Sequence, residues 1–113
     1  MGVVYYSNYL IWFEIARTEF FRKRGVDYRE VEEKHKRYLP VVESYCRYKA
    51  PIKYDDLVNV TAVLTEVNNS SLTFEYEVKV NGRVTTTGRT KHVFIDENRK
   101  PVPVPPEVKA AFQ

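Results

Sequence analysis

Between residues 9 and 24 apolar side chains recur at helical spacing. Leu10, Trp12, Phe13, Ala16, Phe20 and Phe21 make one broad face, and Ile11 and Ile15 widen it. The spacing predicts a helix over Tyr9–Arg24, enclosed on most sides, with Ser7 or Asn8 as its cap and Gly25 as its stop. Its basic last turn, Arg22-Lys23-Arg24, suits the negative end of the helix dipole. Asp27 and Glu30 stand at capping-box spacing and predict a short polar helix over Tyr28–Lys36.

Beyond that point the period falls to two. Leu39–Lys49 reads as a strand ended by Pro51, and Asp55-Asp56 as a turn. Leu57–Val67 reads as a second strand, with Val58, Val60, Ala62 and Leu64 on one side. Leu72, Phe74, Tyr76, Val78 and Val80 alternate with Thr73, Glu75, Glu77 and Lys79, the pattern of a strand with one dry and one wet face. Asn81-Gly82 predicts a type I′ hairpin into a long strand over Arg83–Asp96. The proline-rich tail leaves room only for a short last helix opening at Pro106. The whole is an α+β fold: one long helix, then about four antiparallel strands in a meander that curls around it.

Composition narrows the class. The chain has 113 residues, 43% apolar and 29% charged, the profile of one globular domain. Nine Tyr and six Phe exceed what one small core needs, so subunit pairing is expected to cover part of the sheet. The net charge of +3 suits an anionic ligand. It does not make a nucleic-acid binder, because the dry face of Leu72–Val80 reads as core and not as a stacking platform. Cys46 stands alone, so no internal disulfide and no zinc site is expected. No apolar run reaches membrane-spanning length and no leader is seen, so the expected location is the cytoplasm.

Two stretches carry a resemblance. "GVVYYSNYLIWFEIARTEFFRKRG" matches a Gly-apolar-apolar-Tyr-x-x-Asn-Tyr opening and a Phe-Glu-x-Ala-Arg-x-Glu helix. "YKAPIKYDDLV" matches a Tyr-x-x-Pro-x-x-Tyr-Asp-Asp strand and turn. Together they resemble the hotdog-fold acyl-CoA thioesterases of the 4-hydroxybenzoyl-CoA thioesterase family, including the Tol–Pal-associated group. The resemblance runs over nearly the whole chain. It implies a single hotdog domain over residues 1–113, an antiparallel sheet wrapped around a central helix, and assembly as a homodimer or homotetramer. The implied activity is hydrolysis of an acyl-CoA thioester without metal or other cofactor, coenzyme A being part of the substrate. The family carries an Asp three residues ahead of the Gly that matches Gly2, at the end of its first strand; here that place falls before Met1. The preferred expectation is a natural chain that carries a further strand and the Asp. The other is a weakly active or non-catalytic acyl-CoA binder that begins here.

Hydrolysis of a thioester needs donors where negative charge develops and a carboxylate that attacks or activates water. A helix N-terminus supplies donors through its free N–H groups. The resemblance assigns the polarising N–H to Tyr6, at the turn Tyr6-Ser7-Asn8. Glu14 is expected as a buried carboxylate paired with Arg17 or a backbone donor; its sharper role would be to replace the missing Asp. Val4, Tyr9, Trp12, Phe13 and Val42, with Val3 and Val41, are candidates to line an acyl slot between subunits. Arg83, Arg89 and Lys91, placed on one strand face by alternation, are candidates for the coenzyme A phosphates. His92 falls on the opposite face from Lys91 and reads as a packed residue, and His35 reads as part of a solvated helix face.

Overall fold

A computed structural model describes residues 6–53 and 55–110, apart from the side chains of Tyr6 and Ser7. Helix α1 spans Tyr6–Arg22. It is already formed at Tyr6, so Ser7 and Asn8 lie inside its first turn and do not precede it as caps. Its other end follows the sequence: the Val26 N–H reaches back to the Phe21 carbonyl and the Gly25 N–H to the Arg22 carbonyl, each at 3.0 Å. That pair of bonds is the Schellman stop. Helix α2 spans Tyr28–His35, capped by Asp27, whose side chain accepts from the Arg29 N–H at 2.9 Å. The helix ends at His35, one residue before the expected end, and Lys36 caps it in the left-handed conformation.

Four strands follow: β1 Val41–Tyr48, β2 Val58–Val67, β3 Ser71–Val80 and β4 Arg83–Val93. Helix α3, Pro106–Ala110, ends the described chain. The sheet order is β1-β4-β3-β2, antiparallel throughout. The expected meander therefore holds only from β2 to β4. Strand β1 does not pair with β2 but lies on the far edge of β4, because the segment after Tyr48 carries the chain across the sheet to the opposite edge. Asn81 (φ 54°) and Gly82 (φ 79°) form the expected hairpin turn, whose two positive φ angles select this pair of residues. Val42, Thr65 and Thr85 are extra residues in their strands, each a bulge that locally bends and twists its strand.

The core lies between α1 and the inward face of the sheet. Tyr9, Phe13 and Phe21 descend from the helix onto Leu72, Phe74, Tyr76 and Val78 of β3, all buried. The Phe13 ring stacks on Tyr76 with centroids 4.2 Å apart. Gly88 of β4 leaves the space for it: a Cβ at that position would lie within 2.5 Å of Phe13 Cε2. Enclosure of α1 is one-sided, contrary to the sequence expectation. Leu10, Ile11 and Ile15 remain 48%, 52% and 56% exposed, because four strands cover only one flank of a helix that is apolar nearly all round.

One polar chain crosses this core. Arg17 Nη1 donates to the Tyr76 hydroxyl at 3.1 Å, that hydroxyl lies 2.5 Å from Thr90 Oγ1, and Thr90 Oγ1 lies 2.8 Å from His92 Nε2. His92 is 1% exposed. Burial, with the Arg17 charge adding to it, lowers its pKa from 6.5 to about 4, against a weak opposing contact with the Leu39 backbone.

Two outcomes follow from this packing. Gly88→Ala pushes a methyl group into the Phe13 ring and is expected to cost about 1–3 kcal/mol of stability in chemical denaturation. His92 binds its proton more readily in the unfolded chain than in the folded one, so its contribution is complete above pH 6.5 and is lost as pH falls from 6.5 to about 4. Denaturation midpoints measured across that window are expected to fall for the natural chain by up to about 3 kcal/mol, and to fall less in His92→Gln.

Candidate active site

Among the described residues α1 opens at Tyr6, and the N–H groups of its first turn have no intrahelical acceptor among them. Directly behind the turn, Tyr9 is buried and its ring meets two others edge-on, Trp12 at 5.1 Å and Tyr48 of β1 at 4.8 Å. Phe13 lies one turn deeper. The tip of α1 is thus seated on an aromatic cluster whose polar elements are backbone donors and tyrosine hydroxyls. Such a setting favours a group that is apolar along its length and develops negative charge at one atom.

Tyr9, Trp12 and Phe13 come together here as expected from the sequence. Val4 and the side chain of Tyr6 lie outside the described residues. Val42 does not join the cluster within one chain: it sits at the β1 bulge, 51% exposed, six residues from Tyr48, or about 20 Å along the strand. Tyr48, which is not among the acyl-slot candidates read from the sequence, stands at this wall. Its proximity to Tyr9 follows from the pairing of β1 with β4, which alternation along one strand does not reveal.

Glu14 departs from both of its expected roles. It is exposed on the flank of Leu10, Ile11 and Ile15, and Arg17 turns away from it to the Tyr76 hydroxyl. Eight residues of helix separate it from Tyr6, about 12 Å along the axis. A carboxylate there does not reach a water beside a carbonyl held at the tip of its own helix.

The three basic candidates do not share a face. Arg89 pairs with Glu75 and Lys91 with Thr73, on the outward side of the sheet. Thr85, the extra residue at the β4 bulge, shifts the alternation and brings Arg83 opposite Val80, on the helix side. Arg47 of β1, opposite Thr87, joins Arg89 and Lys91 on the outward face instead.

Other reactive groups are placed away from the tip. Burial pushes the Cys46 thiol up, against a smaller opposing effect of its bond to Tyr48, so Cys46 stays protonated. His92 is sealed beneath α1, packed as the sequence suggested. His35, read as a solvated helix residue, instead ties α2 to α3 through Glu107, with its Nε2 at 2.7 Å from Oε1. That bond, with the Lys34 charge nearby, holds the Glu107 carboxyl below its usual range. Among the described residues no group of three His, Cys, Asp or Glu side chains could hold a metal, and no helix is long and apolar enough to cross a membrane.

Among the described residues a groove of about 640 Å³ runs between α1 and β2, the last strand of the sheet on that side, floored by Trp12, Ala16, Phe20, Val58, Val60 and Ala62. At one end Arg24 lies over the Phe20 ring at 3.7 Å. No local signal in the sequence points to the groove, because which strand lies at this side of the sheet is a property of strand order.

Comparison with known proteins agrees with this architecture. The chain is 34% identical over 112 residues to an acyl-CoA thioesterase, YbgC, of Haemophilus influenzae, covering 98% of this chain and 82% of that protein. A gentisyl-coenzyme A thioesterase structure superposes with a TM-score of 0.88 at 31% identity, covering 99% of this chain and 88% of the other. A DHNA-CoA thioesterase from Staphylococcus aureus does so with a TM-score of 0.92 at 31% identity, covering 99% and 78%. The family model of the thioesterase-like superfamily matches residues 1–112, and the fold is the hotdog fold of these neighbours: the chain belongs to the thioesterase-like superfamily.

Proposed function

We propose that the chain is an acyl-CoA thioesterase. The observation that carries this reading is the tip of α1, where backbone donors open beside the aromatic wall of Tyr9, Trp12 and Tyr48. The acyl-CoA, gentisyl-CoA and DHNA-CoA thioesterases to which the chain is similar support it. The thioester carbonyl points its oxygen at the first-turn N–H groups, beginning with that of Tyr6. Water adds to the carbonyl carbon as a base takes its proton, and the oxyanion forms where the donors already stand. Collapse breaks the C–S bond, and the coenzyme A thiolate leaves and takes up a proton. The acyl group lies along Tyr9, Trp12 and Phe13.

The base is a carboxylate other than Glu14. The family resemblance places it three residues ahead of Gly2. Arg89 and Lys91, joined by Arg47, offer the outward cationic surface for the phosphates of coenzyme A. No cofactor beyond the substrate's own coenzyme A is required. The exposed apolar side chains Leu10, Ile11, Ile15, Val41, Val42 and Tyr45 favour a homodimer or homotetramer, in which Val42 can line the acyl slot of a second subunit. A cytoplasmic site of action fits a substrate carried on coenzyme A.

Hydrolysis of short aliphatic and aromatic acyl-CoAs, followed by release of the thiol, is the direct test; no turnover of any acyl-CoA would count against the reading. A chain extended by a segment ending Asp-x-x-Gly is expected to turn over at least about a hundredfold faster than one in which that Asp is Asn. Glu14→Gln is expected to leave kcat within about threefold, since it lies some 12 Å from the tip. Arg89→Gln combined with Lys91→Gln is expected to raise KM about tenfold and to flatten its salt dependence. Sedimentation equilibrium checks the assembly, and a stable monomer would remove the subunit slot.

A further inference from the structure

Phe13 and Arg17 stand one helical turn apart on α1 and hold the same residue of the sheet. Phe13 stacks on the Tyr76 ring, with an interplanar angle of 12°, while Arg17 donates to the Tyr76 hydroxyl. Aromatic stacking is tolerant of sliding, whereas a hydrogen bond from a rigid fork is not. Together they define both the axial position of the helix and its rotation.

The Arg17 charge favours one direction for the bonds beyond Tyr76. A guanidinium has donors and no acceptor, so the Tyr76 oxygen accepts from Arg17 and its single proton goes to Thr90 Oγ1. Thr90 then gives its own proton to His92 Nε2, which must be the unprotonated nitrogen. The imidazole proton therefore sits on Nδ1, on the side of the Leu39 backbone just ahead of β1. The reverse order would make Tyr76 accept twice and strand its buried proton; in the forward order the proton outside the chain is Nδ1–H, which faces the Leu39 backbone without an ordinary hydrogen bond.

We propose that Arg17 is a positioning residue: by donating into a one-way hydrogen-bond chain that ends on His92, it sets where α1 lies on the sheet and hence where the helix tip stands against Tyr9 and Tyr48. Eleven residues of rigid helix, about 16 Å, link Arg17 to Tyr6. A small rotation at Arg17 is carried along that length to the first-turn donors. The catalytic consequence rests on the thioesterase reading; the positioning itself does not.

Long-range ¹⁵N–¹H correlation spectra of the imidazole and amide spectra of α1 test the chain without any turnover. The natural protein is expected to show His92 protonated on Nδ1 alone at neutral pH. Thr90→Val, which cannot donate, is expected to release His92 into the Nε2–H form. Tyr76→Phe keeps the ring stack and Arg17→Met keeps the aliphatic stem; both are expected to shift the amide signals of Tyr9–Phe13 at unchanged helix content, and Arg17→Lys to restore them in part. An Nε2–H tautomer in the natural protein, or α1 signals that stay in place in Tyr76→Phe and Arg17→Met, overturns the proposal. Should Arg17→Met fail to fold, Tyr76→Phe carries the same comparison. In the active enzyme, kcat is expected to fall about tenfold in Tyr76→Phe with KM little changed, well below its melting temperature. Normal kcat beside shifted α1 signals overturns the catalytic consequence. Shifted signals in a protein that hydrolyses no acyl-CoA uphold the positioning and sink the thioesterase reading.

Discussion

The seat of Phe13, between the Tyr76 ring and the bare backbone of Gly88, is the contact that the remainder of the molecule is arranged around. A helix laid on a sheet by apolar contacts alone has many near-equal placements, because dispersion and burial reward area and not direction. Here one ring enters a slot that only a missing side chain leaves open. The neighbouring strands, the bulges and the aromatic cluster at the helix tip then have their places relative to α1.

The polar chain from Arg17 to His92 extends this constraint. The named side chains hand protons on in a single consistent order, and its open end is His92 Nδ1, which makes no ordinary hydrogen bond among the described residues. Burial, with the Arg17 charge adding to it, holds His92 neutral well into the acid range. A core that combines stacked rings with a directed polar wire resists both sliding and rotation. Chemistry at a helix tip requires this, since an oxyanion is stabilised only by donors already in place.

Around that rigid centre, among the described residues, one flank of α1, the outer residues of β1 and the groove beside β2 leave apolar area exposed. The proposed catalysis and the proposed assembly are linked for this reason. The tip of α1 and the Val42 bulge lie at opposite ends of β1, so one chain alone does not wrap an acyl group with both.

Much of this was legible in the residues. Helical spacing over Leu10–Phe21, the alternation of Leu72–Val80 and the Asn81-Gly82 turn are local signals, written in one segment and read without its neighbours. They placed every helix and strand to within a few residues, and the motifs around Tyr6 and Pro51 pointed to the family. What tertiary structure alone decided depends on pairing between distant segments. Strand order moved β1 to the edge of β4 and brought Tyr48 to Tyr9. One inserted residue at Thr85 reversed the parity that had joined Arg83 to Arg89 and Lys91, since a period of two has no memory across a bulge. Arg17, Tyr76, Thr90 and His92 are scattered over 76 positions of sequence, and only the closing of helix onto sheet makes them one chain of protons.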